Sequence, residues 1–307
     1  MKLLSVDYRM SLSFSENVTD HYFLLRCVPL SRGGQTVLSR SLDIEPNVPV
    51  FTSRDVFGNI VYRGHCFSAH DLFSFHADAT VQVSGFEGTR EPCPPFFAYP
   101  TPLTACSKKM REFLLSIFEG TELLSAVEER RISSSLVRSV AKWLLPAVHD
   151  RISYTSGSTT VRTTAAEAFD GRKGVCQDYA HLFIALCREA GIVARYVCGM
   201  SKGEGATHAW AEFFVPDGEF RAANGQNASG TWYGIDPTRN KFTDDDYVIL
   251  AVGRDFSDCQ VDRGVFCGSV EQRQTVFVKT AERAPPIDTG LFSGHSVSGG
   301  ADLAGQQ

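Results

Sequence analysis

The chain has 307 residues, 43% apolar and 21% charged, enough for about two domains of ~150 residues, each with its own core. That composition excludes a mostly disordered chain, a collagen-like repeat and a coiled-coil rod. The net charge of -5, from 30 Lys+Arg against 35 Asp+Glu, offers no basic excess to neutralise phosphates, so nucleic acid is not expected as a partner.

The first stretch is written in strand period. Val6, Tyr8, Met10, Leu12 and Phe14 alternate with Ser5, Asp7, Arg9, Ser11 and Ser13, giving one apolar and one polar face. Further short strands are expected near 21–28, 36–44, 48–57, 60–67 and 79–83, with Gly58-Asn59 as a two-residue hairpin turn. No helix is expected before residue 105, so residues 1–88 read as an antiparallel β-sandwich. Pro92, Pro94, Pro95, Pro100 and Pro102 then force extended backbone, and residues 89–106 read as an inter-domain linker. Its Phe96, Phe97 and Tyr99 suggest that it packs along a surface.

The pattern then turns helical. Met110, Phe113, Leu114, Ile117 and Phe118 recur at helical spacing, and a second helix is expected at about 134–145, stopped or kinked by Pro146. Thr164-Ala165-Ala166-Glu167 is a capping box that opens a short helix. The next helix runs from Cys176 to about Ala190 with Gly191 at its stop, and it is apolar on most sides. Strands follow at Val193–Met200, Thr207–Val215, Thr231–Asp236, Val248–Val252 and Gln274–Lys279. Helices followed by an antiparallel sheet define an α+β domain, taken as residues 107–282. Residues 283–307, rich in Gly, Ser and Ala, read as a disordered tail.

Nine cysteines without a Cys-x-x-Cys pair fit neither a disulfide framework nor a structural zinc site, so no metal and no cofactor are expected. The N-terminus lacks the apolar stretch of a signal peptide, and no run nears the ~18 apolar residues of a spanning helix. A cytoplasmic protein without membrane association is expected.

Three residues stand where nucleophilic chemistry needs them. Cys176 opens a helix, where the macrodipole and free N–H groups favour thiolate and its own N–H can serve an oxyanion. His208 begins one strand and Asp236 ends another. Antiparallel pairing with His208 opposite Asp236 also sets Trp210 opposite Gly234 and Glu212 opposite Trp232, all on one face. Asp236 then holds the imidazole while His208 pairs with Cys176, a Cys-His-Asp triad in chain order.

The residues Gly174-Val175-Cys176-Gln177-Asp178-Tyr179-Ala180-His181, Thr207-His208-Ala209-Trp210 and Gly234-Ile235-Asp236-Pro237-Thr238 resemble the bacterial transglutaminase-like superfamily of cysteine proteases. Asp55-Val56-Phe57-Gly58-Asn59 resembles the N-terminal domain that these proteins often carry. The resemblance implies a papain-like core with Cys176 as nucleophile, His208 as base and Asp236 as orienting acid, and a peptide or protein substrate. It leaves hydrolysis and amine transfer undecided, although small prokaryotic members are more often expected to be hydrolases.

Trp210 either shields the ion pair or simply packs. Tyr154 is a candidate second oxyanion donor or a core residue. Gln177 lies in the cleft-side first turn, and Asp178 reads as structural. Arg254-Asp255 reads as an ion pair, Asp244-Asp245-Asp246 as a solvated turn, and His65, His70 and His76 as surface histidines. The loop 216–230 is a lid or a tolerated insertion. The main functional reading is thiol-dependent attack on peptide or glutamine side-chain amides. An acyl-CoA-dependent acyltransferase with the same triad type and a non-catalytic scaffold remain as alternatives.

Overall fold

A computed structural model describes residues 1–84, 88–218 and 227–283. The expected tail, from 284 onward, and the middle of the expected lid loop, 219–226, lie outside the described residues.

The chain opens with five strands: β1 (Lys2–Leu25), β2 (Gln35–Glu45), β3 (Val50–Arg54), β4 (Ile60–Cys66) and β5 (His70–Val83). After β6 (Thr89–Arg90) come helices α1 (Lys108–Ile117), α2 (Leu124–Glu128) and α3 (Ser134–Arg151). The short strand β7 (Ser153–Tyr154), α4 (Ala165–Gly171) and the short strand β8 (Lys173–Gly174) lead into α5 (Cys176–Glu189). Strands β9 (Ala194–Ser201), β10 (His208–Pro216), β11 (Gly230–Asp236), β12 (Lys241–Phe242) and β13 (Tyr247–Gly253) follow. The described chain closes with α6 (Phe256–Cys259), β14 (Asp262–Cys267) and β15 (Gln272–Glu282).

The first sheet curls on one long strand. Leu4, Val6, Tyr8 and Met10 of β1 are buried and alternate with more exposed neighbours. The β1–β5 register then breaks between Ser13 and Val18, and Asp20 adopts φ +50°. Before the break β1 lies between β5 and β15; after it, between β4 and β14. The two halves fold over a common core, so the expected sandwich is met loosely, as one curled antiparallel sheet. The segment assigned from sequence to the end of the second domain, including Gln274–Lys279, belongs here: β15 runs antiparallel to β1 from Leu4↔Glu282 to Phe14↔Gln272. Its alternation fits either sheet, and only pairing decides which.

The second sheet has the order β12-β11-β10-β9-β13, with β6 added to β11. Helix α5 packs on β9 and β10, flanked by α3 and α4. Every residue of α5 from Gln177 to Arg188 is buried, as its nearly continuous apolar surface predicts. Pro146 does not end α3, which continues to Arg151. Pro146 and Lys142, whose carbonyl it leaves free, both lie on the exposed face, so water replaces the lost bond. The proline-rich segment is more than a linker. It contains two 3-10 turns, Pro95–Ala98 and Pro102–Thr104, and buries Cys93 and Phe97 against Phe214 and Trp232.

The two sheets are stitched by side-chain amides that imitate a strand. Gln35 donates to the Ile249 carbonyl at 2.9 Å and accepts from its N–H at 2.7 Å. Asn59 does the same with Val252, at 2.8 Å each way. These bonds cover the free edge of β13. Asn59 reaches it from a five-residue turn, not the expected two-residue one. Asp55 Oδ1 accepts from the N–H groups of Phe57 and Asn59, and Gly58 sits at φ +81°. Replacing Asn59 by Ala strands a buried N–H and C=O of Val252. Urea unfolding should show a loss of roughly 2–4 kcal/mol, against less than ~0.5 kcal/mol for an exposed control such as Ser13→Ala.

Candidate active site

Cys176 is the first residue of α5, and its sulfur is half-buried. The turn into the helix is locked by Asp178. Its Oδ2 accepts from the Val175 N–H at 2.8 Å and the Thr159 hydroxyl at 2.7 Å. A Cβ on Gly174 would meet Asp178 Cβ at 2.6 Å, so the close approach requires glycine. Asp178 is therefore structural, as its place in the first turn suggests. Helix geometry leaves the Cys176 N–H without an intrahelical acceptor.

The β10–β11 register is Ala211↔Ile235, Glu212↔Gly234 and Phe214↔Trp232. It is displaced by two residues from the expected pairing, so Trp210 rather than His208 comes level with Asp236. A two-residue displacement preserves the faces, and His208 still reaches the carboxylate: Nε2 lies 2.7 Å from Asp236 Oδ2. The other ring nitrogen is left uncommitted by Asp236, and Cys176 lies near enough to help raise the imidazole's pKa. His208 and Asp236 meet, and Cys176 lies near the imidazole.

Asp236 is fully buried and fully partnered. Its Oδ1 accepts from the N–H groups of Thr238 at 3.0 Å and Arg239 at 3.2 Å. Its Oδ2 accepts from His208 and from the Tyr247 hydroxyl at 2.8 Å. Burial alone would raise its pKa, but these donors hold it below the usual carboxylate value. At His208, 3% exposed, burial opposes charge. The bonds and charges of Asp236 and Cys176 outweigh burial and lift the imidazole to about 9.

The remaining candidates separate. Trp210 is buried with its ring 6.1 Å from His208 and edge-on to Tyr247 at 5.2 Å; it shields and packs at once. Its indole tip lies where a Cβ on Gly199 would be, at 2.4 Å. Tyr154 is 60% exposed and is not a core residue. The parallel β7–β8 ladder sets it beside Gly174, and burial with the nearness of Cys176 and Glu204 raises its phenol pKa. Gln177 is buried and donates to the Thr160 carbonyl at 3.5 Å. Tyr247, Arg239 and Glu204 were not legible in the sequence. Each depends on strand order or hairpin shape, and only the Asp-Pro-Thr-Arg turn hinted at Arg239.

Other expectations are corrected. Arg254 pairs with Asp258 at 2.9 Å, while Asp255 caps α6 through the Ser257 N–H. Asp244 and Asp246 form ion pairs with Lys241 and Lys2, both at 2.8 Å or less. His70 is buried and bonded to His21 at 3.2 Å. Among the described residues, Asp7, His76 and Asp78 could gather round a cation. However, Arg9 already holds Asp7 through two bonds, and His76 bridges both carboxylates.

The transglutaminase-like superfamily model matches residues 128–237, and the bacterial transglutaminase-like N-terminal region model matches residues 4–82. The uncharacterized protein Rv2569c of Mycobacterium tuberculosis is 31% identical over 281 residues, covering 85% of this chain and 86% of its own. The uncharacterized protein ML0607 of Mycobacterium leprae is 26% identical over 263 residues, 79% and 85% of the two chains. The crystal structure of a candidate cysteine protease from Cytophaga hutchinsonii superposes with a TM-score of 0.67 at 21% identity, covering 93% and 92%. The chain belongs to the transglutaminase-like superfamily.

The raised His208 value fixes a sign. Its folded pKa of about 9 exceeds the ordinary ~6.5. The stabilisation is therefore complete below about pH 6.5 and lost as pH rises through 9, on the order of 3 kcal/mol in all. NMR titration should place the His208 transition near 9. Asp236→Asn should move it toward 6.5 and flatten stability between pH 6.5 and 9.5; an unchanged titration would contradict the pairing.

Proposed function

We propose that this protein is a thiol-dependent acyl-transfer enzyme acting on peptide or glutamine side-chain amides. The observation that carries the reading is the buried Asp236–His208 bond of 2.7 Å, with a cysteine at a helix N-terminus near the same imidazole. The superfamily and the Cytophaga hutchinsonii neighbour support a thiol enzyme in general.

With its proton already held by the His208 imidazolium, Cys176 attacks the amide carbon as a thiolate. A C–S bond forms and the carbonyl electrons move to oxygen. The Cys176 N–H donates to that oxyanion. On collapse the C–N bond breaks and the His208 imidazolium hands its proton to the departing amine. Water or a second amine then adds to the thioester, its proton passing to His208, and C–S cleavage restores the thiolate. Asp236 fixes the tautomer and supports the imidazolium throughout. Water gives protease or amidase chemistry, and an amine gives cross-linking.

Burial pushes the thiols of Cys27, Cys187, Cys198 and Cys259 up, so they should be inert. All nine cysteines are free, which supports a reducing, cytoplasmic setting. Among the described residues no helix is long and apolar enough to cross a membrane.

Iodoacetamide at pH 7 should modify Cys176 at least tenfold faster than the exposed Cys267, and His208→Ala should remove that advantage. Equal labelling of the two thiols would favour a scaffold. Ammonia release from a glutamine peptide, with and without added amine, distinguishes hydrolysis from transfer and should vanish in Cys176→Ala. A stable acetyl mass increment after incubation with acetyl-CoA, with no amide turnover, would instead favour the acyltransferase.

A further inference from the structure

The hairpin between β9 and β10 folds over the site. Its tip, Lys202-Gly203-Glu204-Gly205-Ala206-Thr207, is held from three sides. Lys202 N–H bonds the Asp246 carbonyl at 2.9 Å, Gly203 N–H bonds the Thr280 carbonyl of β15 at 3.1 Å, and Arg239 Nη2 grips Glu204 Oε1 at 2.9 Å. Glu204 Oε2 is thereby brought 3.6 Å from His208 Nδ1. This distance is too long for a hydrogen bond. Oε2 is cut off from water and has no donor.

An unpaired carboxylate oxygen out of water is costly, and the place where it sits is informative. Nε2 of His208 is committed to Asp236, so Nδ1 is the nitrogen that exchanges protons with the sulfur and with the amine that leaves or enters. Arg239 is shared: its Nη2 holds Glu204 Oε1, while Nη1 bonds the Ser201 hydroxyl at 2.6 Å and Tyr247 at 3.3 Å and Nε lies 3.8 Å from Asp236, so Oε2 of Glu204 is left without a donor. Lys202 is drawn off by Glu282 and Asp246. Beside Cys176 stands the exposed Tyr154 phenol, an aromatic face of the kind that attracts cations.

We propose that Glu204, aided by Tyr154, forms a cation-accepting subsite on the leaving-group side of Cys176. It selects substrates whose departing or entering amine fragment carries an ammonium or guanidinium, and it disfavours acidic ones. The inference rests on Cys176 being the nucleophile. Glu204 is a specificity residue: its free oxygen gains the donor it lacks when a positively charged fragment enters, and an anionic fragment is repelled.

A series of symmetric disulfides tests this without knowledge of the natural substrate. Cystamine, 2-hydroxyethyl disulfide and 3,3'-dithiodipropionate present positive, neutral and negative fragments of similar size. Reaction at Cys176 is followed by peptide mass spectrometry, each rate being divided by that of free cysteine. The full-length wild-type chain should favour cystamine over dithiodipropionate on the order of tenfold, as expected for one charge acting at short range near the surface. Glu204→Gln should reduce that ratio to within about twofold, and Glu204→Asp should keep its direction. Circular dichroism and urea midpoints taken in parallel show whether each variant is folded. Lack of charge preference in the wild-type chain overturns the proposal, as does a preference that survives in folded Glu204→Gln. If Glu204 merely holds the imidazolium, Glu204→Gln slows all three reagents alike and the ratio persists, which also overturns it. A Cys176 no faster than Cys267 with any reagent defeats the nucleophile assignment itself, a different failure from loss of charge discrimination at a reactive thiol.

Discussion

A carboxylate taken wholly out of water must be met on both oxygens, and Asp236 organises the site by that requirement. Two backbone amides satisfy Oδ1. Oδ2 is shared between an imidazole and a phenol. The amides come from the turn after β11, the imidazole from the start of β10 and the phenol from β13, so the carboxylate pins three strands where they converge. His208 gains its raised pKa there. Trp210, Tyr247 and Gly199 belong to the same unit: a bulky indole fits because position 199 lacks a side chain, and it closes the imidazole from solvent.

The first sheet supports the second at two levels. Gln35 and Asn59 supply edge β13 with the hydrogen bonds a neighbouring strand would have made. The Thr280 carbonyl of β15 accepts from the Gly203 N–H in the hairpin that carries Glu204. A buried charge network continues the seam: Arg195 binds Glu212 at 2.5 Å and Glu91 at 3.1 Å, and Arg32 binds Glu91 at 2.9 Å. Because each of these charges is desolvated, losing one partner strands the others. The N-terminal region is therefore mechanically continuous with the residues around the thiol, and its removal would expose an edge strand and a set of unpaired groups.

The strands and helices around the site follow from local patterns: alternation in β1 and β9–β11, a capping box at Thr164, and an apolar surface on α5. The candidate residues Cys176, His208 and Asp236 stood out because each stands at an element end, where the chain's polar groups and dipoles are exposed. Errors arose where local pattern is silent. Pro146 was expected to stop or kink its helix, yet α3 runs through it to Arg151, because sequence does not say that its helix face meets water. The register of β10 against β11 was misplaced by two residues, because that displacement conserves which side chains face inward. Tyr154 was given a packing alternative, although its strand is a two-residue ladder at the surface.

By itself the sequence determined the element types and the α+β class and singled out three candidate side chains for nucleophilic chemistry, since periodicity, caps and residue chemistry are properties of neighbouring residues. Tertiary structure alone decided that β14 and β15 return to the first sheet, that Tyr247 and Arg239 complete the environment of Asp236, and that Glu204 leans over the imidazole. These are contacts between residues tens to hundreds of positions apart. Their existence depends on strand order and hairpin geometry, which are selected by burial and hydrogen-bond satisfaction over the whole fold and leave no local periodicity behind.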